Sequence, residues 1–204
     1  LLSPLYYLDR ALSPFTELRR PRVDNLDEAV PALIDEGVSV LIMADVGRLR
    51  DSVRDEVARW VDQGGVLVRF AGPRLAGGSD DLIPTPLRAG DRTLGGSLSW
   101  DDPQPLSGFS DASPFAGLDV PGDVTVNRQV LAEPGPDLSE RSWALLADGT
   151  PLVTASQQGR GRIILFHVSA DTAWSNLPIS GTFVEMLRRI VALSGAAAPA
   201  ADTD

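Results

Sequence analysis

The sequence predicts an α/β fold with a parallel core and an antiparallel extension, and three observations predict it. Residues 38–70 read as strand, helix, strand: "VSVLIMADV", then "RDSVRDEVARWVDQGG", then "VLVRF". A crossover of that length joins parallel neighbours through a right-handed connection. Residues 123–170 alternate strand-like runs with the turn signals "ADGT" and "QQGRG", as antiparallel hairpins do. Amphipathic helices open and close the chain.

Each element follows from local chemistry. Ser3 as N-cap and Pro4 at the first helical position start a helix with Leu5, Leu8 and Leu12 on one face, and Ser13-Pro14 stops it. "FTELRR" (15–20) is a short strand candidate. "DNLDEAVPALIDEG" starts acidic and closes at Gly37, as a helix does, with Pro31 bending it or marking its true first turn. The continuous apolar run 38–46 predicts a strand buried on both faces. Val53, Val57, Trp60 and Val61 form one helical stripe closed by Gly64, and 66–70 is a second buried strand. Together with 161–168, these two runs are expected as neighbouring central strands. Residues 71–122, rich in Gly, Pro, Ser and Asp, predict either functional loops or ordered cover on one end of the sheet, with only short strand structure around 93–100. The stretches 123–133 and 142–170 supply the remaining strands. Ser180 caps a last helix with Phe183, Leu187, Ile190 and Val191 on one face and Gly195 at its end. Residues 1–195 read as a single domain and the Ala/Pro-rich tail 196–204 as a flexible linker, as in a domain cut from a longer protein.

Composition narrows the function. A length of 204 residues suits one domain. The net charge is −10, and all eighteen cations are arginines with no cluster among them, so nucleic acid and anionic membrane surfaces are repelled. With no cysteine there is no disulfide, no thiolate nucleophile and no cysteine zinc site. No apolar run of about 18 residues is present to span a membrane. The paired glycines form neither a dinucleotide-binding fingerprint nor a P-loop, and no G-x-S-x-G elbow exists. "GGSDD" and "SWDDP" lack the alternating ligand spacing of a calcium loop and read as solvated turns. No cofactor and no metal is expected.

Several stretches together resemble a family of large bacterial membrane proteins with a BatA-like double-transmembrane N-terminus. They are "YYLDRAL", "VLIMADVGRL", "WVDQGGVLVRFAGPRLAGGSDDLIP", "GGSLSW", "RQVLAEP", "DGTPLVT" and "ILFHVSADTAWSNLPISGTFVEMLRRIV". In that family a domain similar to class I glutamine amidotransferases sits in the soluble portion. The resemblance spans nearly the whole chain, with "GGVLVRFAGPRLA" and "SADTAWSNLPISG" its most specific parts. It implies a flavodoxin-like sheet with helices on both faces, and membrane tethering through segments absent here, with the soluble domain periplasmic. It also implies partners such as MoxR-type AAA ATPases and von Willebrand A domain proteins in an envelope complex. Amidotransferases carry a cysteine on the tight turn after a central strand, backed by a histidine and a carboxylate. Here that turn reads Ala71-Gly72-Pro73, and His167 and Asp171 have nothing to activate.

In open parallel sheets, ligands bind beyond the carboxyl ends of the strands. Asp45, Arg69, His167 and Asp171 fall at or near such ends, and Trp174 lies close by; these five form the candidate ligand-binding crevice. Arg69 interrupts an apolar run, so it is expected to be buried and to need a carboxylate, Asp45 first and Asp171 second. His167, the single histidine, reads as a satisfied core residue ahead of a binding residue or a base for Ser97, Ser99 or Ser169. Arg188 and Arg189 read as a solvated face. No catalytic residue is assigned. The leading expectation is a non-catalytic binding or scaffold domain. The alternative is a hydrolase using a non-cysteine nucleophile or a metal at the same crevice.

Overall fold

The apolar runs assemble into one seven-stranded mixed sheet in a computed structural model that describes residues 3–88 and 97–196. Helix α1 (Pro4–Leu12) and α2 (Leu26–Asp35) precede β1 (Val40–Ala44), α3 (Asp51–Asp62), β2 (Val66–Phe70) and the short α4 (Pro73–Gly77). Then come β3 (Ser97–Phe109), β4 (Thr125–Val130), α5 (Leu138–Arg141), β5 (Ser142–Leu146), β6 (Pro151–Gln158) and β7 (Gly161–Phe166). A 3-10 turn (Leu177–Ile179) leads into α6 (Gly181–Ala196). The strand order is β1-β2-β7-β6-β5-β3-β4. The first three run parallel and every later pairing is antiparallel. The α/β class, with a parallel part and an antiparallel extension, is therefore as the sequence predicts.

Alternation along the strands divides the core. Val66, Val68, Phe70, Ile164 and Phe166 face α1 and α6, where Phe70 stacks on Phe166 at 4.4 Å and Phe183 meets both rings edge-on. Leu41, Met43, Leu67 and Ile163 face α2 and α3 through Val30, Val53, Val57 and Val61. The start of α6 is capped as expected, the Phe183 amide donating to Ser180 Oγ at 3.2 Å.

Four local expectations need correction. Strand β1 is a neighbour of β2 but lies at the sheet edge, with Val40, Ile42 and Ala44 only half-buried. A continuous apolar run reports cover over both faces and is blind to whether a strand has one neighbour or two. Residues 15–20 form no strand; they belong to the irregular passage between α1 and α2. Strand β3 is thirteen residues long, more than the short strand expected there. Its prolines are accommodated because the pairing with β4 shifts register between Ser99 and Gln104, so Pro103 breaks no regular ladder. Gly195 lies inside α6 and so does not mark its end, whereas Pro31 lies within α2, as one of its two sequence readings allows. The tail 197–204 lies outside the described residues.

Candidate functional site

Arg69 extends from β2 on the same face as Leu67 and is 1% exposed. Its guanidinium is gathered by loops at the carboxyl end of the sheet. One terminal nitrogen, Nη1, donates to Asp80 Oδ1 at 2.6 Å and to the Leu82 carbonyl at 3.1 Å. The other, Nη2, donates to the carbonyls of Val46 and Gly47, both at 2.8 Å. Nε has no partner. Asp80 is itself buried and accepts from the amides of Leu49 and Leu82 at 2.9 and 3.0 Å. The buried ion pair expected from the sequence exists, but its carboxylate is Asp80 rather than Asp45 or Asp171. The solvated-turn reading of "GGSDD" fails at Asp80, whose buried carboxylate holds Arg69, while the exposed Asp81 pairs with Arg54.

Asp45 has another task. It adopts a left-handed backbone (φ 52°), its amide donates to the Phe70 carbonyl at 3.0 Å, and its Oδ1 accepts from the amides of Arg74 and Leu75 at 2.9 and 3.2 Å. A Cβ placed on Gly72 would collide with this carboxylate. The turn Ala71-Gly72-Pro73 is therefore filled by an acid from the neighbouring strand, which occupies the amides at the start of α4.

His167 follows β7 and is completely buried. The Val130 carbonyl, 2.8 Å from Nδ1, can only accept, so Nδ1 carries the proton. Nε2 then accepts from the Thr154 hydroxyl at 2.9 Å, and Thr154 is also fully buried. Burial pushes the imidazole pKa down to about 4, against a smaller opposing effect of the Val130 hydrogen bond, so the ring is neutral. Asp171 turns back on its own loop, Oδ1 accepting from Ser169 Oγ at 2.7 Å and the Ala173 amide at 3.0 Å. The buried Trp174 has Arg128 5.9 Å over its ring, and its carbonyl accepts from the amides of Asn127 and Arg128 on β4.

The five candidate residues thus fall into three arrangements: Asp45 and Arg69 under the loops around α4, His167 inside the sheet, and Asp171 with Trp174 in the strap after β7. Two surface concavities lie elsewhere. One, of about 290 Å³, lies between Thr85-Pro86 and the 133–141 segment; the other, of about 330 Å³, lies over Ala155, Gln157 and Arg162. Neither includes any of the five. Ser169 is bonded to Asp171, while the side chains of Ser97 and Ser99 lie outside the described residues. Sequence reasoning missed Asp80 and Thr154. The signal for Asp80 was present, since a buried arginine demands an acid and "GGSDD" is the first acidic stretch after it. Arg189 was also misread: it donates to the carbonyls of Pro114 and Ala116, pinning the 110–118 loop to α6, while Arg188 lies over the exposed Phe15 ring.

Nothing matches this chain among protein-family models or curated proteins. Among solved structures, a cytoplasmic protein from Salmonella typhimurium is similar at a TM-score of 0.66 and 11% identity, over 92% of this chain and 85% of that one. A second cytoplasmic protein, from Salmonella typhimurium LT2, aligns at 0.61 and 11% identity, over 97% of this chain and 86% of its own. At such identities the likeness shows a shared α/β fold.

Proposed function

We propose that this is a non-catalytic binding or scaffold domain, an amidotransferase-like fold without its nucleophile, carried by a membrane-anchored bacterial envelope protein. The observation that carries the reading is His167, fully buried with both ring nitrogens engaged by Val130 and Thr154. A general base must reach the proton it removes. The hydroxyl bonded to this imidazole is Thr154, enclosed with it beyond the reach of a substrate carbonyl. The filled turn at Gly72 supports the same reading, because a side chain there has no room beside Asp45. The parallel β1-β2-β7 portion with helices on both faces is consistent with a flavodoxin-like description of the fold. With Asp45, Arg69 and His167 consumed by internal bonds, protein contact is the favoured use of the domain. The partners implied by resemblance are a MoxR-type ATPase or a von Willebrand A domain protein, on the periplasmic side of the membrane.

The test is an activity assay on the purified domain with glutamine and with simple amides and esters. We expect no turnover, in the unaltered chain or in His167→Ala. Hydrolysis that disappears in His167→Ala would overturn the reading and favour the hydrolase alternative.

A further inference from the structure

We propose that the concavity beside the first turn of β7 is a binding site for a carboxylate group, held by Arg162. The inference is independent of the functional reading above, because the site lies where β7 begins, at the opposite end of that strand from His167. Arg162 is the second residue of β7, in register with Val66 of β2 and Gln157 of β6. Alternation places it on the same face as Ile164 and Phe166, the face that packs against α1 and α6. There a space of about 330 Å³ opens over Ala155, Gln157 and Arg162.

The argument for a ligand begins with what Arg162 lacks. Among the described residues, Arg69 is fully buried and four further arginines are half-buried: Arg54, Arg141, Arg162 and Arg189. Arg69 is held by Asp80, Arg54 by Asp81, Arg141 by the Pro84 carbonyl, and Arg189 by the carbonyls of Pro114 and Ala116. Arg162 alone of the five has no side-chain hydrogen bond, ion pair or aromatic partner among the described residues. A half-buried cation without a counter-charge weakens a fold. Packing therefore gives no reason for an arginine at this position, whereas a ligand that brings the counter-charge does.

The walls around this guanidinium are already built. Trp143 lines the space and is buried, with Phe115 edge-on to its ring at 5.6 Å. The loop that carries Phe115 also supplies Ala112 to the lining, and Arg189 pins that loop to α6. The Ser110 hydroxyl accepts from the Ala112 amide at 3.2 Å, which fixes the turn. Trp143, Ala112 and Ala155 thus offer an apolar surface for the body of a ligand whose charged end meets Arg162.

The charges of the lining select a carboxylate. A guanidinium presents a planar fork of donors that matches the two oxygens of one carboxylate. Arg162 is the single uncommitted cation, since Arg141 is engaged by Pro84 and lies 3.6 Å from Asp137. Glu140 is the one acid of the lining; it is exposed and forms no ion pair among the described residues. A doubly charged phosphate would meet one cation and the like charge of Glu140, whereas a single carboxylate is neutralised by Arg162. That carboxylate is carried either by a small acid or by the end of a peptide, and both present the same chemistry.

The test is an NMR titration of the unaltered protein that follows the Arg162 Nε–H and Trp143 indole N–H signals. The probes are propionate and N-acetyl-alanyl-alanine, each beside its carboxamide, and inorganic phosphate. We expect both acids to shift the two signals saturably in the millimolar range and the carboxamides to leave them in place. The acid that binds more tightly tells a small-molecule source from a chain end. Arg162→Gln should weaken acid binding about tenfold or more while the melting temperature stays level or rises, because an uncompensated charge is removed. Glu140→Gln should tighten acid binding about twofold by removing the like charge. Acids and carboxamides that shift the signals alike would overturn the proposal, as would phosphate binding more tightly than both acids or no shift with any probe. An Arg162→Gln protein that binds the acids unchanged would overturn it too. So would one that is clearly destabilised, since the arginine would then serve the fold.

Discussion

Arg69 and His167 end adjacent parallel strands, both fully enclosed, yet the chain treats them in opposite ways. Arg69 cannot lose its charge, so it has been surrounded with a carboxylate and three carbonyls supplied by two loops. His167 can lose its proton and does, so one carbonyl and one hydroxyl from within the sheet suffice. A permanent charge organises the loops around it, whereas a neutral ring merely fits the sheet. Each site therefore ought to fail in its own way when disturbed.

The largest effect belongs to the charged site. Asp80→Ala leaves a buried guanidinium without its counter-ion and also frees the Leu49 and Leu82 amides. The expected loss is about 3–5 kcal/mol, read from urea denaturation. Arg69→Leu should be similarly damaging, because it strands the Asp80 carboxylate. The double variant should lose less than the sum of the two, since the charges are then removed together. Additive losses would show that the pair is not a unit.

The histidine site should instead show itself through pH. Its folded pKa, about 4, lies below the ordinary value of 6.5. As pH falls, the unfolded chain takes up the proton first. The stabilising contribution is therefore complete above pH 6.5 and is lost between 6.5 and about 4, amounting to roughly 3 kcal/mol. Measuring unfolding free energy across that window in the unaltered protein and in His167→Gln isolates the contribution. Identical slopes would mean that the imidazole is not held neutral by burial.

Gly72→Ala probes the turn beside the charged site. The backbone there is extended and tolerates any residue, so the effect must come from the collision with Asp45. Displacing that carboxylate breaks its bonds to the Arg74 and Leu75 amides, which should cost about 1–3 kcal/mol. Gly72→Ser should be destabilised alike and remain inactive. An unchanged melting temperature in both would show that the turn has room for a nucleophile.

How far these sites could be read beforehand follows the same division. The burial of Arg69 was legible because one charge in the run "VLVRF" stands out against apolar neighbours, and its need for an acid is general electrostatics. The identity of the acid was legible only through its nearness in sequence, since Asp80 arrives on an irregular loop whose path no periodicity encodes. The parallel unit from β1 to β2 was legible through its crossover helix, but the edge position of β1 was not. That position depends on where β7, some 120 residues later in the chain, chooses to pair. The enclosed state of His167 followed from the run "IILFH". Its partner Thr154 lies on β6 and depended on the register of the β6–β7 hairpin, which joins Thr154 to Leu165 rather than to His167 directly.

The smallest expected effect is also the sharpest test of that register. Thr154→Val puts a methyl of similar size where the hydroxyl was, so no cavity forms and the hydrogen-bond donor alone is lost. What remains is a buried Nε2 acceptor without a donor, worth about 1–2 kcal/mol of lost stability. The hydroxyl donates only to the neutral, unprotonated Nε2, so its loss also removes some of what favours that form. The imidazole pKa should consequently rise from its depressed position. Thr154→Ser, which keeps the donor, should restore most of both properties. Histidine NMR titration and urea unfolding on the three proteins together distinguish the causes. A Val variant with lower stability but an unmoved pKa would point to packing alone, whereas a rise in pKa that Ser reverses would show that the threonine holds the ring neutral.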